Sequence, residues 1–285
     1  MLTIPGVVIN NPKELAMRNR IRIATTIAAA AALVLVTSAS AQTPAPAPAA
    51  APAAEAKPAD PYTLTANVGI FSQYIFRGLT QTDVKPAFQG GFDFAHESGF
   101  YLGTWGSNIS WLQDSGACSG CSLEWDMYGG WKHAFNDDWG MDVGVYFYYY
   151  PGSYNPGFTN ANTTELYIAG NWKWVSLKFS DSLGNTFGVP NSHNAWYLDL
   201  TANYPINDQW TILAHVGRQD YHGSNNGVSN SVLNYTDWKL GVSYTVNNYT
   251  FGAYWTDTNN NASVYTIDGK NIGKSTGTAY IQKTF

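Results

Sequence analysis

Residues 139–150 read W-G-M-D-V-G-V-Y-F-Y-Y-Y. The odd-numbered positions of this stretch are all apolar or aromatic, whereas the even-numbered positions hold Asp142, two glycines and three tyrosines. Helical spacing would scatter the two kinds of side chain around an axis, but a strand separates them onto opposite faces. The stretch therefore predicts a β-strand with one apolar face and one polar face.

The same alternation recurs along the chain, for example in residues 196–204 and 237–246. Turn-forming residues divide the sequence beyond position 61 into twelve such segments. We predict strands near 62–78, 86–96, 100–112, 122–134, 139–150, 163–172, 174–183, 194–204, 210–221, 233–246, 249–257 and 274–285.

The predicted connections alternate between short turns and long polar loops. Short turns are expected at residues 96–99, 136–138, 173, 206–208 and 247–248, and long loops at 79–85, 113–121, 151–162, 184–193, 222–232 and 258–273. Both ends of the strand region lie on the short-turn side. This asymmetry is typical of bacterial outer-membrane barrels, whose short turns face the periplasm. The sequence therefore predicts an all-β, up-and-down antiparallel transmembrane barrel with long extracellular loops.

The composition supports a membrane protein that crosses with strands. Only 12% of residues are charged and 15% are aromatic. Residues 62–285 contain no run of about 18 apolar residues, the length that a spanning helix needs, whereas a spanning strand needs only about 9 to 11.

Aromatic residues cluster at both ends of the predicted strands, as the two membrane interfaces favour. Near the short turns lie Trp139, Trp172, Trp174, Tyr204, Trp210 and Tyr249, and near the long loops lie Trp111, Trp125, Trp196, Trp238 and Trp255. A soluble barrel with an aromatic core is the alternative, but it gives no reason for clustering at strand ends.

The N-terminal region predicts export. Arg18, Arg20 and Arg22 precede an apolar run that ends in small residues, so residues 1–41 are expected to be a signal peptide cleaved after Ala41. Repeated Pro in residues 42–61 predicts an extended periplasmic spacer rather than a folded segment. Cleavage leaves 11 basic and 19 acidic residues, a net charge of −8, which argues against a nucleic-acid partner.

Three segments carry a family resemblance. Residues 68–78 read V-G-I-F-S-Q-Y-I-F-R-G, residues 89–93 read Q-G-G-F-D and residues 103–108 read G-T-W-G-S-N. In this order they resemble the TorF family of porins, and the resemblance covers residues 62–285. It implies an outer-membrane barrel with passive transport, without specifying a solute.

The last strand also resembles the assembly signal of outer-membrane proteins, an amphipathic strand with a terminal Phe. Phe285, Ile281 and Ala279 fall on one face, while Lys283 departs from the pattern. The resemblance implies recognition of this strand by the barrel-assembly machinery, and the barrel itself implies contact with outer-membrane lipid and lipopolysaccharide.

Charged residues of the strands fall on the face opposite the apolar one. An ion facing hydrocarbon costs about 2 to 4 kcal/mol at the midplane, so these side chains are expected to line the lumen. The predicted pore-lining residues are Arg77, Asp93, Glu124, Asp126, Lys132, Asp142, Glu165, Lys178, Asp199, Asp237 and Lys239. Seven are acidic and four are basic, which predicts a mild cation preference. The same residues could instead pair across strands and close the barrel, and tyrosines could fill it.

Cys118 and Cys121 lie in a predicted loop, and an oxidising periplasm favours a small structural disulfide between them. Free thiols and a redox or metal role are the alternatives. No cofactor, metal or catalytic site is predicted. A barrel-based hydrolase would have to use His215, or His222 with Asp220, and neither has a partner Ser in a recognisable motif.

The sequence thus predicts a channel for passive diffusion of small solutes or ions in the bacterial outer membrane. A closed structural or adhesive barrel is the main alternative, and a hydrolase is the weaker one. The sequence leaves the oligomeric state open.

Overall fold

A computed structural model describes residues 2–4, 7–9 and 60–285. Within it, the short strands Leu2–Ile4 and Val7–Ile9 pair antiparallel. The predicted cleavage after Ala41 and the predicted spacer lie outside the described residues, apart from positions 60 and 61. No described helix is long and apolar enough to cross a membrane.

Twelve antiparallel strands form a closed barrel in which every strand pairs with its neighbours in sequence. In chain order they are β1 (Tyr62–Phe71), β2 (Ala87–His96), β3 (Phe100–Asn108), β4 (Leu123–Ala134), β5 (Trp139–Tyr149), β6 (Thr163–Trp172), β7 (Val175–Ser182), β8 (Trp196–Pro205), β9 (Trp210–Asp220), β10 (Tyr235–Val246), β11 (Tyr249–Thr258) and β12 (Thr276–Thr284). The predicted all-β, up-and-down fold of about twelve strands is confirmed.

The barrel closes where β12 pairs with β1. Ile281 lies opposite Ile70 and Thr284 lies opposite Asn67 in this register. The Phe285 amide donates to the Ala66 carbonyl at 2.8 Å, which extends the ladder beyond β12. Closure joins the first and last strands, so the barrel wall has no free edge strand, as a membrane-spanning sheet requires.

The outer face of the barrel is apolar. Ile168 in the middle of β6 is 53% exposed and Leu240 in β10 is 57% exposed, although both are large aliphatic side chains. Large apolar side chains that are exposed at alternate positions around the whole outer face of a barrel are stable only against hydrocarbon. The chain is therefore a transmembrane barrel of the bacterial outer-membrane type.

Short turns and long loops occupy opposite ends of the barrel. Residues 97–99, 135–138, 173–174, 206–209 and 247–248 form the turns at the periplasmic end. The extracellular loops are L1 (72–86), L2 (109–122), L3 (150–162), L4 (183–195), L5 (221–234) and L6 (259–275). The predicted alternation is confirmed, including the tight turn at Lys173, which has a positive φ of 51°.

Exposed aromatic side chains border the apolar belt at the periplasmic end, where all six predicted positions are exposed. At the extracellular end Trp125, Trp238 and Trp255 are exposed as predicted. Trp111 is different, because β3 ends at Asn108 and a short helix, α1 (Trp111–Asp114), turns the indole inward against the ring of Tyr150. The placement of Trp111 in the outer ring is therefore wrong.

The extracellular loops have a hydrophobic core of their own, which we call the cap core. Its fully buried members include Leu112 and Ala117 in L2 and Ala161 in L3. L2 and L3 also pair, since strand Cys118–Ser119 runs antiparallel to strand Ser153–Tyr154. The buried core of this barrel thus lies at its extracellular mouth.

L1 turns back into the barrel instead of extending β1. The strand was predicted to continue to residue 78, but it ends at Phe71, and the ribbon Ile75–Phe76 with Leu79–Thr80 descends into the lumen. Arg77 and Gly78 form its two-residue tip with φ values of 46° and 78°. Two successive positive φ angles define the hairpin turn that fits the twist of a two-stranded ribbon, and glycine adopts one at little cost.

Candidate functional site

The tip of L1 is anchored to the barrel wall by Arg77. Its guanidinium lies 2.7 Å from Glu165 of β6 and also donates to the side-chain carbonyl of Gln219 in β9 at 2.7 Å. The side chains of Arg77 and Glu165 are only 7% and 3% exposed. A buried charge of this kind needs a close partner of opposite charge and further hydrogen bonds, and the Arg77 guanidinium has both.

Aromatic rings enclose the same guanidinium. The Arg77 carbon at the centre of the charge lies 4.2 Å from the ring centroid of Tyr197 and 4.9 Å from that of Phe76. Phe187 of L4 adds a third ring at 5.5 Å. Desolvated cation–π contacts of this type contribute about 2 kcal/mol. The tip of L1 is therefore fixed on several sides.

Cavities lie on both sides of this tip. Above Phe76 and Arg77 is a small aromatic-lined cavity of about 70 Å³ beneath the cap core. Below them is a cavity of about 200 Å³ lined mainly by charged and hydroxyl side chains, which we call the lumen chamber. A further cavity of about 230 Å³ shares Ile75, Lys239 and Tyr254 with the chamber and extends past Gln282 toward the periplasmic turns. Arg77 thus lies between a small outer cavity and a larger inner space.

A second anchor of L1 covers two carboxylates of β4. The Tyr74 hydroxyl donates to Glu124 at 3.0 Å, and Tyr146 of β5 donates to Asp126 at 2.9 Å. Glu124 and Asp126 are each 1% exposed, and each carboxylate has one oxygen without a hydrogen-bond partner among the described residues. The acidic pair is therefore sealed beneath L1 rather than open to the chamber.

His215 connects two acidic residues across the floor of the lumen chamber. Its Nε2 lies 2.8 Å from Asp237 of β10, and its Nδ1 lies 3.3 Å from Asp199 of β8. Because both ring nitrogens face carboxylate oxygens, the doubly protonated imidazolium satisfies both contacts. Tyr197 and Thr201 add hydroxyl donors to Asp237 and Asp199, at 2.9 and 2.7 Å.

The two lysines of the chamber differ from its acidic groups in having no partner of opposite charge within residues 60–285. Neither Lys178 nor Lys239 forms an ion pair with any carboxylate in residues 60–285. Lys239 lies 5.3 Å from the ring centroid of Tyr254, and Lys178 lies 5.5 Å from that of Tyr167. Both ammonium groups therefore keep donors available to the chamber.

The remaining predicted pore-lining residues contact inward-facing groups on strands one or two positions away in the barrel wall. Asp93 accepts a hydrogen bond of 2.7 Å from Tyr128, and Asp142 accepts one of 2.6 Å from Tyr101. Lys132 lies 3.8 Å from Asp142, with its ammonium largely exposed.

The structure pairs Cys118 with Cys121 in a disulfide within L2. Gly152 of L3 packs against this bond, and a side chain there would collide with both sulfurs. The cysteines thus belong to the cap core and its contact between L2 and L3.

The two histidine sites considered for a hydrolase differ in geometry. His222 lies 3.9 Å from Asp220 on the exposed rim. The hydroxyls of Tyr197 and Thr201 lie 3.1 and 3.2 Å from the ring nitrogens of His215, but they donate their protons to Asp237 and Asp199. Neither arrangement presents an activated nucleophile. In the described part of the chain, no cluster of three or more His, Cys, Asp or Glu side chains could hold a metal ion.

Sequence reasoning missed the partners that fix L1. Gln219 and Tyr197 occupy inward positions of β9 and β8, so the period-two pattern places them correctly but does not reveal their contact with Arg77. Tyr74 was assigned to a strand, and only the Arg77–Gly78 pair could have signalled a turn there.

Residues 55–285 match the model of one protein family, described as bacterial proteins of unknown function, Gcw_chp. The chain belongs to the Gcw_chp family. This description neither repeats the TorF name nor assigns a function to the Gcw_chp barrel. No curated protein matches the chain.

Several solved structures are similar to the Gcw_chp barrel. A KdgM porin in complex with disordered oligogalacturonate is 10% identical, covers 78% of this chain and 99% of its own, and has a TM-score of 0.48. The COG4313 outer membrane channel from Pseudomonas putida F1 is 12% identical, with 81% and 100% coverage and a TM-score of 0.49. The outer membrane protein OprD from Pseudomonas aeruginosa is 12% identical, with 78% and 64% coverage and a TM-score of 0.35. Likenesses at these scores assign no function to the Gcw_chp barrel.

Proposed function

We propose that this Gcw_chp barrel is a porin-like channel through which small solutes or ions cross the outer membrane by passive diffusion. The resemblance to TorF family porins agrees with this proposal. Its main support is a pair of adjacent cavities inside the barrel, the lumen chamber of about 200 Å³ and the cavity of about 230 Å³ that shares Ile75, Lys239 and Tyr254 with it, both lined largely by polar side chains. Burying charges around a hollow interior costs desolvation free energy that an apolar filling would avoid, and this favours passage of solutes over a purely structural role.

The proposal includes a mild cation preference and no enzymatic activity. The predicted pore-lining residues carry seven acidic and four basic groups, and Arg77 already neutralises Glu165. Asp93, Glu124 and Asp126 have no cationic partner in residues 60–285, and they lie on one side of the barrel wall, in β2 and β4. L1 covers two of them, and its position should therefore affect the preference.

The same proposal includes partners outside the lumen. The exposed apolar belt supports contact with outer-membrane lipid and lipopolysaccharide, and the exposed Phe285 beyond β12 supports recognition by the barrel-assembly machinery. Export by a cleaved signal peptide, with residues 42–61 as a periplasmic spacer, completes the proposal.

Reconstitution of the folded chain in planar bilayers tests the channel. We expect discrete conductance steps and, in a salt gradient, a reversal potential displaced toward the cation equilibrium value. Absence of any conductance from correctly folded protein would defeat the channel proposal and leave the fold unchanged. A reversal potential on the anion side would defeat the cation preference alone.

A closed structural or adhesive barrel is the second candidate, because L1 and the cap core fill the extracellular mouth. Deleting the tip of L5 distinguishes the adhesive barrel from the channel. In an adhesive barrel this deletion should abolish attachment without changing permeability.

A further inference from the structure

The lumen chamber differs in charge from the rest of the barrel interior. Its wall contains Arg77, Lys178, Lys239 and His215 as basic groups and Asp199 and Asp237 as acidic groups. Glu165 enters the balance as the partner of Arg77. With His215 as an imidazolium, the chamber has one positive charge in excess, although the predicted pore-lining residues as a whole are mostly acidic.

The acidic groups of the chamber already accept hydrogen bonds from neighbouring side chains. Asp237 accepts hydrogen bonds from His215 and Tyr197, and Asp199 accepts from Thr201 and contacts His215. A cation entering the chamber would have to displace these donors. An anion would displace nothing, because the Lys178 and Lys239 ammonium groups have no carboxylate partner in residues 60–285.

Aromatic rings also line the chamber, and they could pack against the apolar part of a ligand. The rings of Tyr148, Tyr197 and Tyr254 line it beside the charged groups. Its volume of about 200 Å³ is below the range of roughly 300 to 1,000 Å³ that is typical of sites for drug-sized ligands. A fitting ligand is therefore small, carries a single negative charge and has a flat or apolar body.

We propose that the lumen chamber is a binding site for a small organic monocarboxylate, whose carboxylate is held by the ammonium groups of Lys178 and Lys239. The site deepens the proposed function, and rests on it, because it names a class of solute that the lumen holds during passage. The charge of the expected ligand is opposite to that of the preferred ion because the predicted pore-lining carboxylates without a cationic partner in residues 60–285 lie on β2 and β4, whereas the chamber's charged groups other than Arg77 lie on β7 to β10.

Calorimetric titration of the folded barrel in detergent micelles with sodium benzoate tests the site, with benzamide as the neutral probe of equal shape. We expect benzoate to bind more tightly than benzamide. Lys178→Gln and Lys239→Gln should each weaken benzoate binding about tenfold, the effect of losing one charge-assisted hydrogen bond. Lys239→Arg should retain most of the affinity, since it keeps the charge.

Lys173→Gln is the matched control, because it removes the same charge from a periplasmic turn where the ammonium lies 3.4 Å from Asp138. It should leave benzoate binding unchanged. The site would be overturned if benzoate did not bind or bound no more tightly than benzamide. It would also be overturned if Lys178→Gln and Lys239→Gln both bound benzoate with full affinity. This titration needs no conductance, so a barrel that binds benzoate but conducts nothing would refute the channel and keep the site.

Discussion

Arg77 and Glu165 form a 2.7 Å ion pair inside the barrel, and this pair ties the tip of L1 to β6. The two residues are 88 positions apart in sequence, so the contact depends on the closed fold. Since the tip lies between the outer cavity and the lumen chamber, we expect the pair to control how far the lumen is obstructed.

Arg77→Ala should open the lumen. The change leaves Glu165 buried without a cationic partner, and breaking such a pair typically costs about 3 to 5 kcal/mol. We expect L1 to leave its docked position and the single-channel conductance to rise at least twofold. Arg218→Ala, which removes a half-exposed arginine at the end of β9, is the control and should conduct as the unmodified protein does. Unchanged conductance in Arg77→Ala would show that L1 does not limit the pore.

Acid should loosen the contact between L1 and L6. The Lys270 ammonium donates to Asp83 at 2.7 Å and, with Lys85, holds the pKa of the Asp83 carboxyl below its ordinary value. Because this pKa is lowered in the folded state, the stabilisation is complete above the ordinary aspartate pKa of about 3.9 and is lost as the pH falls through the lowered value. Protease cleavage within L1 should therefore stay constant from neutral pH to about pH 4 and increase only below it.

Asp83→Asn removes this acid response. In the variant, L1 should be cleaved at the higher rate at every pH, and lowering the pH should add nothing. A pH response that persists in Asp83→Asn would assign the effect to another group.

A charge on the outer face of the barrel should destabilise it in lipid. Ile168 lies at the middle of β6 and is exposed on the apolar belt. Ile168→Arg should lower the free energy of unfolding in phospholipid vesicles by about 2 to 4 kcal/mol, measured by denaturant titration. Leu183→Arg, just beyond β7 at the extracellular end, should cost about 1 kcal/mol or less. Equal losses at both positions would contradict the assigned membrane depth.

The cysteines should resist alkylation until they are reduced. Cys118 and Cys121 are joined and buried in the cap core. We expect no adduct with iodoacetamide in denaturant alone and two adducts after reduction, both read by intact mass. Labelling of unreduced, denatured protein would contradict the disulfide.

The wall of the barrel was predictable from sequence because every strand obeys the same period of two. Hydrocarbon outside and a polar interior impose that period on each strand, so strand number, turn positions and inward faces follow from it. The same regularity explains the error in β1. The L1 ribbon is also extended, and its alternation continues past Phe71 although the chain has left the wall.

The site was predictable only as a set of inward residues. Alternation places Glu165, Lys178 and Asp237 on the correct face. The pairing of the charged side chains, however, depends on the stagger of the strands and on the path of L1. Arg77 reaches the lumen from a loop, and His215 joins Asp199 to Asp237 across neighbouring strands. Contacts of this kind leave no local signal in the sequence.

The cap core determines where the outer surface of this protein can accept foreign sequence. Leu112 and Ala161 are fully buried, so an epitope tag placed beside either would disturb packing as an insertion into a soluble protein's interior does. The tip of L5 at Asn226 and Gly227 is a two-residue hairpin turn, and Gly227 has open space around it. Surface display and antibody detection on intact cells should therefore succeed at the L5 tip and fail in L2, although both segments belong to extracellular loops.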